Sequence, residues 1–247
     1  MIKIAIFSDV HGNLPALEAV LEDIERKGAD QIYCLGDLVD FAPWSNEVID
    51  LIRKHKIPCL MGNHDERVAF DLDILPLAKH SEEETAARTL AIDHTKKILT
   101  QTNKDYLASL PRQIKLNFGK THEPNLLLVH GSVRDNEEYI YDDHDTADLK
   151  QMLQIEQANV LVMGHTHLPY IRKILADENA SPNLVLVNCG SVGRSKETGG
   201  LASYCMLTID EEEIGAEIIR LQYQKEKTIT AIRKSKIPDF YANFLNR

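Results

Sequence analysis

The sequence predicts an α/β fold, and three observations predict it. Short apolar runs of strand length alternate with amphipathic stretches of helical period. Hydrophobic residues make up 43% of the 247, enough for a full core, so the chain is not read as disordered. Five of the apolar runs end directly before a polar, chemistry-bearing residue. Strands alternating with helices imply parallel βαβ units.

Taken in order, residues 2–7 read as a strand, followed by a loop and an amphipathic helix over 14–27. Asn13 stands where an N-cap belongs, and a cap is preferred to a substrate contact for it. Residues 31–35 are a short strand, 45–55 a helix and 57–61 a third strand. The region 66–110 differs: 81–101 is helix-like, Ser81 and Glu84 fit a capping box, and Leu90, Ile98 and Leu99 supply part of an apolar face. That region is expected to be a helical insertion forming one wall of a cleft. Strand patterns return at 113–118, 125–129, 159–163, 170–175 and 184–187. A final pair, 203–209 and 214–221, reads as an antiparallel hairpin with an acidic turn. The acidic stretch from Glu137 to Asp148 reads as a solvated loop and helix start, with Asp145 as the cap. No repeat or linker divides the chain, so one domain over 1–247 is expected, its tail from about Gln224 packed on its own body.

Composition excludes several classes. No apolar run approaches the roughly 18 residues of a membrane span. The start, MIKIAIFSDVHGN, lacks a signal peptide's h-region, so a cytoplasmic location is expected. The net charge of −10 argues against non-specific nucleic-acid binding, which needs a basic face. It does not argue against a small anion, because bound cations reverse a local field. Cys34, Cys59, Cys189 and Cys205 form no C-x-x-C pair; buried reduced thiols are expected, including Cys189 in its Gly-rich loop.

The candidate ligands are Asp9, His11, Asp37, Asn63, His130, His165 and His167. Each alone has a bland alternative. Asn63-His64-Asp65 fits a turn, His165 and His167 could be exposed loop residues, and Gly36 and Gly62 could be punctuation. Placement decides: each group begins where an apolar strand ends, and parallel neighbours bring such loops to one sheet edge. Mixed imidazole and oxygen donors suit Mn, Fe, Co, Ni or Zn better than Ca or Mg. Seven donors exceed one tetrahedral ion and match two ions sharing a carboxylate. Two divalent ions, two aspartates and a bridging hydroxide leave +1, attractive to a phosphate ester.

The motifs SDVHGN (8–13), GDLVD (36–40), GNHD (62–65), VHG (129–131) and GHTH (164–167) stand in the order of the calcineurin-like metallophosphoesterase superfamily, which the chain resembles from residue 2 to about 210. The resemblance implies a four-layer α/β/β/α sandwich of two mixed sheets flanked by helices. It implies that Asp9, His11, Asp37 and His167 hold one divalent ion, and Asp37, Asn63, His130 and His165 the other. Manganese is expected, with Fe, Ni, Co or Zn as alternatives. His64 would stabilise the transition state or protonate the leaving oxygen. Asp40 either orients His64, as an aspartate at this spacing does in related phosphoprotein phosphatases, or is an exposed carboxylate. The implied reaction is hydrolysis of a small phosphodiester or nucleotide-type ester by a metal-bridging hydroxide.

Within the superfamily the chain looks like the bacterial and archaeal phosphodiesterase-like group, whose members carry diadenosine tetraphosphatase-like or serine/threonine phosphatase-like labels. GDLVDFA and GNHD replace the GDxxDRG and GNHE usual in those two specific classes, and Cys189 replaces a proline. Protein phosphatase and dinucleoside polyphosphate hydrolase therefore remain alternatives, with a non-catalytic metal scaffold behind them because His64 is kept. With the arginine gone, Arg67 and Arg194 are the nearby cations. An ordinary surface role is expected for both, and Arg194 joins Asn63 and His64 as a candidate substrate contact. No membrane or nucleic-acid partner is expected; monomer or homo-oligomer is not decided by sequence.

Overall fold

In the computed structural model the described residues are 1–76, 81–117, 125–175, 183–210 and 214–246. The chain opens with β1 (Ile2–Phe7), α1 (Leu14–Lys27), β2 (Gln31–Cys34) and α2 (Ser45–Lys54). Asn13 caps α1 by accepting from the Ala16 N–H, and Gly28 ends it in the left-handed conformation that glycine adopts without strain. Next come α3 (Asn63–Ala69), α4 (Glu82–Ile98) and α5 (Gln101–Ala108). The second half runs β3 (Gln113–Asn117), β4 (Asn125–Val129), α6 (Thr146–Glu156), β5 (Val160–Met163), β6 (Tyr170–Ile174), β7 (Leu184–Asn188), β8 (Ala202–Ile209) and β9 (Ile214–Leu221). Two short helices, α7 (Lys225–Arg233) and α8 (Asp239–Leu245), follow. Phe118, placed in a strand by the sequence pattern, and the turn at 211–213 lie outside the described residues.

The strands form two mixed sheets, ordered β2-β1-β8-β9 and β3-β4-β5-β7-β6. In the first, β1 runs parallel to β2 and antiparallel to β8. In the second, β4, β5 and β7 are parallel, with β3 and β6 antiparallel at the edges. The central strands are buried on both faces, which is why they read as unbroken apolar runs. The edge strands β3 and β9 alternate. Ile4, Ile6 and Leu207 of one sheet meet Leu126, Val162 and Val187 of the other in the inner core. Helices α1 and α2 cover the outer face of the first sheet, and α6 that of the second. The expected four layers are therefore present, and Asp145 caps α6 as read.

Two expectations need correction. Residues 57–61 form no strand. Cys59 makes a single bridge to Cys34, because β2 ends there and Pro58 has no N–H to extend a ladder. The Met61 N–H turns instead to the Pro111 carbonyl at 2.9 Å. Second, 81–101 is not one helix. Leu99 is extended, and Thr100 caps a separate α5 by accepting from Asn103 N–H at 3.3 Å. The buried face of α4 is Ala87, Arg88, Ala91, Ile92 and Thr95, while Leu90 and Ile98 face outward. Ala87 and Ala91 lie against Phe41, Ile229, Ile232 and Tyr241, so the tail packs on its own body.

Candidate metal centre

All seven expected ligands come together, six of them in loops that follow strands. Asp9 follows β1, Asp37 follows β2, His130 follows β4, and His165 and His167 follow β5. Asn63 opens α3. All seven are buried. Asp9, His11 and His167 form one group of converging donor atoms, and Asp37, His130 and His165 a second.

Four of the imidazoles are oriented in one way: a ring nitrogen of each is held by a backbone carbonyl. His11 Nδ1 donates to Val39 O at 3.0 Å, His130 Nδ1 to Leu35 O at 2.9 Å and His167 Nδ1 to Arg194 O at 2.7 Å. His165 uses Nε2, on Glu137 O at 3.2 Å. Such a hydrogen bond selects the tautomer and leaves the other nitrogen as a lone-pair donor. The two aspartates repeat the device. Asp9 Oδ2 accepts the backbone N–H of His165 at 2.9 Å, and Asp37 Oδ1 that of His64 at 2.8 Å.

What remains is a set of buried donor atoms aimed at one another. Asp9 Oδ1 and Asp37 Oδ2 are buried and accept no hydrogen bond. His167 Nε2 stands 3.0 Å from Asp9 Oδ1 and 3.2 Å from His11 Nε2. With both Nδ1 hydrogens committed to carbonyls, these are lone pairs facing lone pairs. Asp37 Oδ2 sits between the groups, 3.6 Å from His11 Nε2 and 3.5 Å from His130 Nε2. Buried unsatisfied acceptors are costly unless a cation joins them, so the donor set fits divalent metal ions.

The electrostatics agree. Burial alone would raise the Asp37 carboxyl, but the charges of His130 and His64 overcome it and hold it far below the carboxylate range. Burial opposes charge on His130, yet Asp37 and Asp9 push it up to about 10. The two aspartates thus draw positive charge onto the position where a cation would compete with that proton. His167 goes the other way: burial outweighs Asp9 and lowers it to about 3, so its Nε2 is bare at neutral pH. Asp65, the last residue of GNHD, was given no role from sequence. Its carboxylate receives the N–H groups of Asp37 at 2.7 Å, Leu38 at 2.9 Å and Gly62 at 3.0 Å, tying two ligand loops together.

Backbone strain concentrates here. Asp9, His11, Asp37, His165 and His167 have φ between 49° and 63°, the left-handed region that side chains rarely adopt. Asp40 and Phe41 join them at 73° and 66°. Each such residue costs on the order of 1–3 kcal/mol, held in place by its surroundings. Gly62 must lack a side chain, because a Cβ there would overlap the backbone nitrogen and carboxylate of Asp37.

His64 differs from the other four. Its Nδ1 bonds a carboxylate, Asp40 Oδ2 at 2.6 Å, and its ring borders the open cleft beside Asp37. Burial lowers its pKa, opposed by the charges of Asp37 and Asp40. Asp40 is fully buried, which removes the exposed-carboxylate reading. The surface reading of the arginines is also wrong. Arg67 is 5% exposed. The Arg194 side chain is 13% exposed and borders the cleft, its guanidinium 4.5 Å from the Phe41 ring and 4.7 Å from Phe244. The stretch beginning at Glu137 is not simply solvated. Tyr139 packs against His165 with ring centres 4.0 Å apart, tilted by 39°, and borders the cleft. Tyr139, Lys196, Arg88 and Tyr241 of the cleft were missed, because each stands in a segment whose pattern carries no chemical signal. Cys189 is a packed thiol, its Sγ 3.3 Å from Met163 O.

A two-sheet α/β sandwich with a converging Asp, Asn and His donor set at its strand ends defines a metal-binding hydrolase class. Residues 2–212 match the family described as the calcineurin-like phosphoesterase superfamily domain. The chain belongs to that superfamily and is a metal-dependent phosphoester hydrolase. It is 32% identical over 260 residues to an uncharacterized protein of Methanocaldococcus jannaschii, covering 99% of this chain and 98% of that one. It is 28% identical to phosphodiesterase YfcE of Escherichia coli over 85% of this chain and 89% of that protein. A crystal structure of a metallophosphoesterase from Sphaerobacter thermophilus matches with a TM-score of 0.75 at 27% identity, covering 99% and 98% of the two chains. Among the described residues, no helix is long and apolar enough to cross a membrane.

Proposed function

We propose that the chain is a dinuclear-metal phosphodiesterase acting on a small, nucleotide-type ester. One observation carries this reading: Asp37 Oδ2 is buried, accepts no hydrogen bond, and lies about equally far from His11 Nε2 and His130 Nε2, one in each donor group. That is where a shared carboxylate belongs. One ion would then be held by Asp9, His11, Asp37 and His167, the other by Asp37, Asn63, His130 and His165, with manganese the expected metal. When bound, two such ions supply Lewis acidity and water made nucleophilic at neutral pH.

The chain's own residues do the rest. His64, fixed through Nδ1 by Asp40, directs its other ring nitrogen toward the cleft it borders, placed to protonate the leaving oxygen. Arg194 presents a cation there, stacked on Phe41, the residue standing in GDLVDFA where GDxxDRG has arginine. It supports a substrate contact, with Asn63 and His64. Glu84 and Arg88 of α4 wall one side of the cleft, which favours a small ester over a phosphoprotein. The similarity to a phosphodiesterase supports the diester preference. The shared cores support one domain over 1–247, with 66–110 as its helical wall.

The test is hydrolysis of bis-p-nitrophenyl phosphate by protein stripped with chelator and reloaded with Mn. Activity should vanish and return. Fully loaded protein that cleaves no mono- or diester would end this reading.

A further inference from the structure

A second cavity adjoins the metal cleft and shares Asn63, Arg88 and Glu137 with it. Its floor holds two buried guanidinium groups, Arg67 from α3 and Arg88 from α4, each 5% exposed. Arg67 Nη2 pairs with Glu137, but its buried Nη1 has no hydrogen-bond partner among the described residues. Arg88 Nη1 donates to the Leu75 carbonyl at 2.8 Å, a neutral acceptor. Other carboxylates at the cavity are engaged or at its rim: Glu66 pairs with Arg112, and Asp73 and Asp135 are exposed. Among the described residues, Arg67 thus pairs directly with one carboxylate and Arg88 with none. Burial and the neighbouring Arg67 charge both lower the Arg88 pKa and outweigh the opposing charge of Glu137. Leaving a buried guanidinium short of an acceptor is expensive, and a planar fork of N–H donors matches a phosphate.

We propose that Arg67 and Arg88 form a subsite for a second phosphate of the substrate, so that the preferred ester carries a phosphate beyond the bond that is cut. This rests on the phosphodiesterase reading for its catalytic meaning, but not for the binding itself. Arg88 borders both cavities, so one substrate can place its scissile phosphoryl group at the metal centre and its distal phosphate against the two arginines.

Binding is tested without turnover. Metal-free full-length protein is titrated with inorganic phosphate by calorimetry. Millimolar or tighter binding is expected, weakened roughly tenfold or more in Arg67→Met and in Arg88→Met. Arg67→Lys and Arg88→Lys, which keep the charge but lose the fork, should weaken it less. They also decide the matter if a methionine variant melts early. No saturable binding by the wild type, or equal binding by all variants, overturns the subsite.

Turnover then gives its use. Mn-loaded protein is compared on thymidine 5′-(p-nitrophenyl phosphate) and on the same ester bearing a 3′-phosphate. The kcat/KM ratio should favour the bisphosphate by roughly tenfold and collapse toward one in either methionine variant. A ratio near one in the wild type refutes the assignment. Hydrolysis of neither ester would instead refute the phosphodiesterase reading, with the phosphate titration still deciding the subsite.

Discussion

Asp40→Asn isolates the contribution of a carboxylate that touches no reacting atom. Asparagine tolerates the left-handed backbone almost as well as aspartate, so the φ of 73° at this position adds no new strain. The change removes the charge opposite His64 Nδ1, now bonded at 2.6 Å. A hydrogen bond to a charged group contributes about 1.5–3 kcal/mol. If that is realised in the transition state, kcat falls roughly 10- to 150-fold, since each 1.36 kcal/mol is tenfold. The pH profile moves as well. A general acid works while protonated and is lost as pH rises through its pKa. Asp40 raises the His64 pKa against burial, so its removal lowers that pKa and shifts the alkaline limb toward lower pH. The assay is the pH dependence of kcat for Mn-loaded protein on bis-p-nitrophenyl phosphate, with His64→Ala and the double variant completing a cycle. Asp40 acts through His64, so the double variant should be no slower than His64→Ala. A kcat within twofold of wild type, with an unmoved alkaline limb, refutes the reasoning.

Gly62→Ala forces a Cβ into the Asp37 backbone and carboxylate. Overpacking of this kind costs about 1–3 kcal/mol, so both the melting temperature and Mn affinity should fall, and an unaltered melt would contradict the geometry. Mn should raise the melting temperature of the chelator-treated wild type by mass action. Asp37→Asn, which removes the carboxylate proposed to be shared, should show little of that rise; an equal rise would remove Asp37 from the proposed metal site. Burial raises the Cys189 and Cys59 thiols, and all four cysteines are buried and free. Native protein should therefore react slowly with a thiol reagent and release all four equivalents only on denaturation; a fast native equivalent would show that one is accessible. Arg194→Met should raise KM for diester substrates more than it lowers kcat, and an unchanged KM would take Arg194 out of substrate binding.

The alternating pattern of apolar runs and helical stretches determined the α/β class. Burial on both faces of a parallel strand leaves an uninterrupted apolar run, and the residues ending those runs were legible as candidate ligands because strand ends converge. The cap at Asn13 and the end of α1 at Lys27 were equally local, as was the packed thiol at Cys189. What sequence did not determine depends on partners distant in the chain. Residues 57–61 have strand composition, but a strand exists only if a neighbour continues beside it, and β2 stops at Cys34. Leu90 and Ile98 were apolar yet faced outward, because the tail helices met the alanine face of α4 instead. Arg67 and Arg194 looked like surface residues because charge gives no hint of burial until opposing elements close over it. The tautomers of His11, His130, His165 and His167 are set by carbonyls of Val39, Leu35, Glu137 and Arg194. A carbonyl belongs to every residue, so no side-chain pattern announces which one will hold a ring. Sequence supplied the donor atoms, whereas their direction, protonation and confrontation across the site came from tertiary packing.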